Sequence, residues 1–243
     1  MKEIRKKLSA LLTDAGKSAE YAYSGGDCDI TGITDDTRNV SEGCIFICVK
    51  GARFDGHTAA AEMLEKGAAA VVCDHDLGLG DRQIVVSDTR KFYGHLTAAW
   101  FDHPEKQLTL IGITGTNGKT TTTALTGEIM RHFFNSVFVV GNIGEPFAFH
   151  ALETTDETVT VAEVSSFMLE TMTDFPPNVS AILNITPDHL DRHKTMECYI
   201  ETKESITKNQ KEGDVCVLNY EDPVLREFGE TLKDIKVVYF SSL

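Results

Sequence analysis

The 243-residue chain lacks the signals of a secreted or membrane protein. No apolar run approaches the ~18 residues that a membrane-spanning helix needs. The basic start, MKEIRKKLSALL, is not followed by a long apolar stretch or a cleavage site. It therefore predicts an amphipathic helix that ends at Gly16 rather than a targeting signal. We expect a cytoplasmic protein that does not bind membranes.

Basic residues are also scarce. The chain has 23 Lys and Arg against 37 Asp and Glu, a net charge of −14, and after His103 the count is 11 against 21. This acidity argues against binding to nucleic acid or to anionic membranes. Any anionic ligand must therefore be held by local donors and Mg²⁺.

Paired cysteines are missing as well. The six cysteines show no Cys-x-x-Cys spacing, and several lie inside apolar runs. Buried, reduced thiols of a cytoplasmic protein are the prediction. These residues are Cys28, Cys44, Cys48, Cys73, Cys198 and Cys216.

The most informative stretch present is LTLIGITGTNGKTTTTALTGEIMRHF, residues 108–133. Leu108 to Ile113 predicts a buried strand, and a helical pattern starts at Thr120, after a glycine-containing loop. A strand, then a loop, then a helix that begins with Lys-Thr is the arrangement typical of a phosphate-binding loop. Backbone amides and the helix N-terminus would face the anion. Lys119 could reach the outer phosphates, and the Thr120 hydroxyl could hold Mg²⁺.

The loop departs from the commonest spacing, which has glycine where Ile113 stands, and a plain glycine-rich turn is the alternative. Its residues resemble the nucleotide loop of the Mur ligase family, ATP-dependent amide ligases that build the peptide stem of the bacterial cell wall. The folylpolyglutamate synthetases share this loop but lack a leading domain like the one below. The resemblance implies ATP binding by Gly115, Thr116, Asn117, Gly118, Lys119, Thr120 and Thr121.

The rest of the chain predicts an α/β protein, because strands alternate with helices. A polar, proline-containing break follows His103. We predict an N-terminal domain over residues 1–103 and a central domain with a largely parallel sheet over residues 108–243. By the resemblance, the first domain would bind the UDP end of the substrate and the second would bind ATP.

Two polar segments of the first domain could be ordinary solvated loops, Asp35 to Arg38 and Lys50 to His57. Together they resemble the family branch that adds the third residue of the stem peptide, although the branch that adds the fourth and fifth residues is similar here. The resemblance implies that Thr37, Arg38, Lys50, Gly51 and Ala52 contact the UDP moiety. Arginine and backbone amides suit diphosphate oxygens.

Acidic and histidine residues follow two strands of the central domain. Glu163 ends one predicted strand, where it could hold Mg²⁺ or simply face solvent. The segment from Asp188 to His193 could by itself form a metal site such as zinc. The resemblance instead implies that Glu163 and His189 are magnesium ligands.

Two further segments resemble the branch that adds D-glutamate. They are Gly-Asn-Ile-Gly at residues 141–144 and Phe-Met-Leu-Glu at residues 167–170. The resemblance places Asn142 and Ser165 beside the substrate.

Lys203 lies in a segment predicted to be helical from Thr195 to Lys211, where a solvated lysine is the ordinary interpretation. The resemblance implies that Lys203 carries a carbamate formed with CO₂ and so becomes a Mg²⁺ ligand. Carbamate formation needs a neutral amine, so we predict a desolvated Lys203 with a lowered pKa.

The implied reaction is ATP-driven amide formation through an acyl phosphate, with Lys119, Lys203, Glu163 and His189 as the catalytic set. The favoured substrate at this stage is UDP-N-acetylmuramoyl-L-alanyl-D-glutamate, joined to an amino acid that the sequence does not identify. The D-glutamate-adding reaction, or that of another branch, is the alternative. We expect a monomer.

Family members continue beyond the region that this chain resembles. We therefore expect about the first half of a complete ligase, without its third domain. A non-catalytic nucleotide- and UDP-sugar-binding fragment remains open, and so does a plain ATPase with an unrelated leading domain.

Overall fold

The computed structural model describes residues 4–51 and 54–242. The chain divides into two compact units, Met1–His103 and Pro104–Leu243. Each unit has its own sheet and its own apolar clusters.

The first unit is built around a five-stranded sheet in the order β2-β7-β6-β5-β4, in which β4 to β7 are parallel and β2 is antiparallel to β7. Its strands are β1 Lys6–Lys7, β2 Tyr21–Ala22, β3 Asp29–Ile30, β4 Gly32–Thr34, β5 Cys44–Ile47, β6 Ala70–Cys73 and β7 Gln83–Val86. Its α-helices are α1 Leu8–Ala15, α2 Ala60–Glu65 and α3 Thr89–Trp100, and 3₁₀ turns lie at Gly56–Ala59 and Gly80–Arg82.

Side chains of β5 alternate between two apolar clusters, as the two-residue period of a strand requires. Ile45 and Ile47 pack with α1 and α3, whereas Phe46 packs with Met63 of α2. Both faces of this sheet are therefore covered. Parallel pairing also brings the ends of β4, β5 and β6 to one edge of the sheet.

The helix predicted from Met1 to Gly16 is wrong over its first part. Residues 6–7 form β1, which pairs antiparallel with β3, and the helix begins only at Leu8. The ladder to β3 satisfies backbone groups that a helix would otherwise pair. Met1, Lys2 and Glu3 lie outside the described residues.

The second unit has a six-stranded parallel sheet in the order β13-β12-β11-β8-β10-β9. The strands are β8 Thr109–Thr114, β9 Val137–Gly141, β10 Val159–Glu163, β11 Val179–Ile182, β12 Val215–Asn219 and β13 Lys236–Phe240. The α-helices are α4 Lys119–Arg131, α5 Ser166–Leu169, α6 Leu190–His193, α7 Met196–Glu204 and α8 Pro223–Thr231, and 3₁₀ turns lie at Pro104–Lys106, Phe147–Phe149 and Ser205–Thr207.

Apolar clusters cover both faces of this sheet. One combines Leu110 and Ile182 with residues of α5, α7 and α8, and the other combines Ile111 and Val161 with Met130 of α4. The α/β class with a parallel central sheet is confirmed.

The helix predicted from Thr195 to Lys211 is wrong at its C-terminal end. The α-helix stops at Glu204, and Ser205–Thr207 is a 3₁₀ turn. Beyond it, Asn209 donates to the Thr173 carbonyl at 2.7 Å, and Gln210 donates to the Val215 carbonyl at 2.9 Å. These hydrogen bonds anchor Asn209 and Gln210 to neighbouring loops. A helix continued to Lys211 would not place the two side chains beside those loops.

In the part of the chain that the structure describes, the helices are too short or too polar to cross a membrane. Cys44, Cys48, Cys73 and Cys216 are buried, as predicted. The prediction of burial is wrong for Cys198, which is exposed on α7.

Candidate nucleotide and substrate sites

The loop between β8 and α4 turns directly into the helix through Gly118, whose φ of +80° is a left-handed conformation. A residue with a side chain adopts this conformation at a cost, so glycine is required there. The first amides of α4 remain directed at the space above the loop, which suits an anion. Thr120 and Thr121 lie in the exposed first turn of this helix.

Two residues that follow β11 brace the loop. The Asn184 amide accepts from Asn117 N at 2.8 Å and donates to the Asn117 carbonyl at 3.1 Å. The Thr116 hydroxyl donates to the Thr186 carbonyl at 3.1 Å and accepts from Thr186 N at 2.9 Å. The sequence reasoning missed both roles, although polar residues directly after a buried strand were a usable signal.

Lys119 folds back over the loop. Its Nζ donates to the Gly115 and Thr116 carbonyl oxygens, both at 2.9 Å. The ammonium group is therefore held against the loop, where its positive charge suits phosphate oxygens.

Lys203 lies under the same loop and is 1% exposed, so the solvated-lysine alternative is wrong. Its Nζ donates to the Gly115 carbonyl at 2.9 Å and sits 4.7 Å from the centre of the Tyr199 ring. Burial, together with the charge of Lys119, lowers the pKa of Lys203 to about 8, against an opposing effect of Asp188. About a tenth of the Lys203 side chains are therefore neutral at pH 7, and carbamate formation requires this neutral form.

Glu163 ends β10 and is 1% exposed, so the solvent-facing alternative is wrong. Its Oε1 accepts from Asn142 Nδ2 at 3.0 Å, and its backbone carbonyl accepts from Asn142 N at 2.9 Å. Its Oε2 is buried without a hydrogen-bond partner. A buried carboxylate oxygen without a donor is costly unless a cation satisfies it.

His189 precedes α6 with a left-handed φ of +52°, and nearly half of its side chain is exposed. Its ring lies 4.8 Å from the Phe167 ring, and its Nε2 is 3.4 Å from Asp188 Oδ2. The exposed imidazole is therefore accessible to a ligand.

The neighbouring residues of this segment brace α6 against α5. Arg192 pairs with Glu170 at 2.5 Å, and buried His193 Nε2 lies 3.0 Å from Ser166 Oγ. Ser165, predicted to be near the substrate, caps α5 by accepting from Met168 N at 3.2 Å. These contacts give Arg192, His193 and Ser165 a structural role in α5 and α6.

The predicted UDP-contacting residues of the first unit follow β4 and β5. Arg38 is exposed and forms a bidentate ion pair with Asp36. This contact lowers the pKa of Asp36 to about 2. Thr37, the residue between Asp36 and Arg38 in the sequence, is half-buried. This arrangement presents a fixed guanidinium to solvent.

The second predicted segment is tied to α3. The Lys50 carbonyl accepts from the Arg90 guanidinium at 3.0 Å, and Gly51 N donates to the Phe54 carbonyl at 2.8 Å. Ala52 lies outside the described residues. Arg90 was not predicted and adds a basic group beside Lys50.

The sequence matches two family descriptions that cover most of both units. The Mur ligase middle domain matches residues 113–242, and the description "Mur ligase family, catalytic domain" matches residues 29–101. The first match covers more than half of the chain. The chain belongs to the Mur ligase family.

A curated relative is UDP-N-acetylmuramoylalanine–D-glutamate ligase of Lachnoclostridium phytofermentans, 58% identical over 134 residues. The match covers 55% of this chain and 29% of that protein. The matched region thus covers well under half the length of that relative.

Solved structures support the fold over nearly the full chain. MurF from Acinetobacter baumannii has a TM-score of 0.73 and 23% identity, with coverage of 99% of this chain and 54% of that one. MurF ligase from Thermotoga maritima in complex with ADP has a TM-score of 0.64 and 27% identity, covering 86% of this chain and 50% of that one.

Proposed function

We propose that this chain carries the ATP-binding and UDP-substrate-binding parts of a peptidoglycan-precursor ligase. In this proposal, residues 108–243 bind ATP, and residues 1–103 bind the UDP end of a UDP-N-acetylmuramoyl compound. The observation that carries the proposal is the convergence of Lys119 and buried Lys203 on the Gly115 carbonyl of the phosphate loop. A phosphate loop alone does not require a second, buried lysine.

Mg²⁺ fits the side chains of the second unit. Glu163 offers a buried oxygen without a donor, His189 offers an exposed imidazole, and Thr120 offers a hydroxyl in the first turn of α4. These three residues and the carbamate form of Lys203 would hold the ion. When bound, Mg²⁺ neutralises charge on the phosphate oxygens.

Carbamate formation on Lys203 uses its neutral amine. The nitrogen attacks the carbon of CO₂, a new N–C bond forms, and one proton is released to water. The product is an anion with two oxygens in place of a cation. Titration with ¹³C-labelled bicarbonate, followed by carbonyl NMR, should give a carbamate signal that the substitution Lys203→Met abolishes.

The chain's own residues support acyl-phosphate chemistry by position and charge. The loop amides and Lys119 hold the transferred phosphoryl group, and their positive character stabilises its developing charge. The substrate carboxylate oxygen attacks the γ-phosphorus, the bond to the bridging oxygen breaks, and ADP leaves. An amino acid's amine then attacks the acyl carbon, and phosphate and a proton leave.

UDP-N-acetylmuramoyl-L-alanine is the favoured substrate, with D-glutamate as the amino acid. The 58% identity to the Lachnoclostridium phytofermentans relative supports this choice, and so do the segments at residues 141–144 and 167–170. The second candidate is UDP-N-acetylmuramoyl-L-alanyl-D-glutamate. It is favoured by the segments at Asp35 to Arg38 and Lys50 to His57, which resemble the third-residue branch.

Calorimetry with a non-hydrolysable ATP analogue and Mg²⁺ tests the nucleotide site. We expect Lys119→Ala to weaken binding at least about tenfold, since it removes a charged phosphate contact. Lys211→Ala, at an exposed lysine of the same unit, should bind like the wild type. Equal binding by both variants would overturn the proposed site.

Separate titrations with the two UDP compounds test the substrate. Tighter binding of the alanine form supports D-glutamate addition, and tighter binding of the dipeptide form supports the second candidate. Arg38→Ala should weaken both, whereas Lys66→Ala, which removes a remote surface lysine, should weaken neither. Failure to bind either compound would contradict the assignment of residues 1–103.

A further inference from the structure

Three side chains of types that can bind metals lie at one edge of the first unit's sheet, and none of them is among the residues assigned above to UDP contact. His57 lies in the 3₁₀ turn Gly56–Ala59 after β5, and Asp74 and His75 directly follow β6. These strands are parallel neighbours, with Ile47 opposite Val72. Their carboxyl ends, and the three side chains, therefore meet.

The three candidate ligand atoms are already close together. His57 Nε2 is 3.2 Å from Asp74 Oδ1, and His75 Nδ1 is 2.5 Å from the same oxygen. The imidazole rings are stacked with centroids 5.1 Å apart, and all three ligand atoms lie within 4.8 Å of one another. Tetrahedral zinc with bonds of ~2.0–2.1 Å separates its ligand atoms by about 3.3 Å.

The His57–Asp74 separation matches this spacing, and only His75 must move outward. His75 and Asp74 are well exposed, with 61% and 43% of their side chains accessible. Because both side chains lie largely at the surface, they can rotate to adjust this spacing.

Asp55 orients His57 toward this position. Asp55 Oδ1 accepts from His57 N at 3.1 Å and lies 2.6 Å from His57 Nδ1. The proton of a neutral His57 is thereby placed on Nδ1, and the Nε2 lone pair points at Asp74. A carboxylate behind a histidine in this way is the usual outer-shell support of a metal ligand.

In this neutral tautomer of His57, two acceptors face each other. The His57 ring is 7% exposed and cannot turn away, and its Nε2 lies 3.2 Å from a carboxylate oxygen. The Asp74 N–H, at 3.4 Å from Nε2, is at the outer limit of a hydrogen bond. A cation between Nε2 and Oδ1 satisfies both atoms.

We propose that His57, Asp74 and His75 bind a Zn²⁺-class divalent metal ion in the first unit. Two imidazole nitrogens and one carboxylate oxygen favour zinc over magnesium or calcium, which prefer all-oxygen sites. Three protein ligands leave a fourth position for water. The ion would tie the 3₁₀ turn Gly56–Ala59, a few residues after Lys50 and Gly51, to the end of β6. This site is separate from the proposed Mg²⁺ site and does not depend on the proposed function.

Chelator-treated protein titrated with Zn²⁺ by calorimetry, and with Co²⁺ by visible absorption, tests the proposal. We expect Zn²⁺ binding that His75→Ala and Asp74→Asn each weaken at least about tenfold. Both residues are exposed, so these variants should fold, as circular dichroism can verify. His132→Ala, at an exposed histidine of the second unit, should bind Zn²⁺ like the wild type.

The Co²⁺ complex should show the intense visible bands of a low-coordinate site, and these bands should be absent from His75→Ala. No Zn²⁺ binding by the wild type would overturn the proposal and make the His57–Asp74 contact an ordinary ion pair. Unchanged Zn²⁺ affinity in both His75→Ala and Asp74→Asn would overturn it as well, because the ion would then lie elsewhere.

Discussion

Lys119 and Lys203 donate hydrogen bonds to the same acceptor, the carbonyl oxygen of Gly115, each at 2.9 Å. Lys119 lies at the start of α4, which follows the loop, and Lys203 lies in α7. Two ammonium groups on one oxygen repel each other, and Lys203 is also buried. The burial, together with this repulsion, lowers the pKa of Lys203 to about 8.

The first prediction concerns the cost in folding stability of burying the charge of Lys203. At neutral pH Lys203 is mostly protonated in the folded state and buried. Lys203→Met should raise the free energy of unfolding by about 1–3 kcal/mol, because a buried charge is replaced by an apolar chain of similar length. Urea denaturation at neutral pH measures the difference, and destabilisation of the variant would contradict the prediction.

The pH dependence of the free energy of unfolding follows from the same lowered pKa of Lys203. Between about pH 8 and the ordinary lysine pKa of 10.5, the unfolded chain holds the Lys203 proton and the folded chain does not. Wild-type stability should therefore gain over this interval relative to Lys203→Met, and the advantage of the variant should shrink. A constant difference between the two proteins across this interval would show that Lys203 titrates normally.

The second prediction concerns the turn that positions Glu163. Gly141 has a φ of +105°, and a Cβ there would lie 2.3 Å from the Glu163 carbonyl oxygen. Gly141→Ala should cost about 3 kcal/mol or more, since the backbone of β10 must move. Gly144, with a φ of +68° and its nearest atom at 3.5 Å, is the matched control. Gly144→Ala should cost only about 1 kcal/mol, and equal losses in thermal unfolding would be contrary to expectation.

Local patterns predicted the phosphate loop because each of its parts is encoded in consecutive residues. The apolar run, the glycines and Lys119 directly specify a strand, a turn and a helix start. The alternation of β5 side chains between two apolar clusters needs only the two-residue period of a strand. Such features need no knowledge of which strands are neighbours.

Long-range pairing accounts for what the sequence did not reveal. Asn184 braces the loop only because β11 lies beside β8 in the sheet. His57 meets Asp74 only because β5 pairs with β6. Residues 6–7 form a strand because β3 offers them a partner. In each case the partner is more than fifteen residues away, beyond the reach of periodicity and turn signals.

The third prediction concerns Asp36 and Arg38. The Arg38 guanidinium holds the pKa of Asp36 at about 2. In Arg38→Ala the pKa of Asp36 should rise toward the ordinary aspartate value of 3.8, because its main hydrogen-bond donor is lost. Carboxyl ¹³C NMR during an acid titration measures this value. Lys66→Ala, which removes a lysine paired with Glu62, should leave it unchanged.

The last prediction separates the stability and ligand-binding roles of Glu163. Its buried Oε2 has no donor, so a neutral side chain of the same shape should relieve part of the cost of burying the carboxylate. We expect Glu163→Gln to unfold with a free energy about 1 kcal/mol higher than the wild type in metal-free buffer. Urea denaturation measures this gain.

The same substitution should impair the ligand that the carboxylate is proposed to hold. Affinity for the ATP analogue should fall at least about tenfold in the presence of Mg²⁺, because Gln is a poor ligand for this ion, and should change little without Mg²⁺. Glu157→Gln, at an exposed glutamate just before β10, should match the wild type in both tests. If Glu163→Gln kept the wild-type dependence on Mg²⁺, the ion would not be held by Glu163, and its burial would need a purely structural explanation. A variant that is more stable but binds the metal–nucleotide complex less well would instead show that the unpaired oxygen is retained for its ligand, at a cost to the fold.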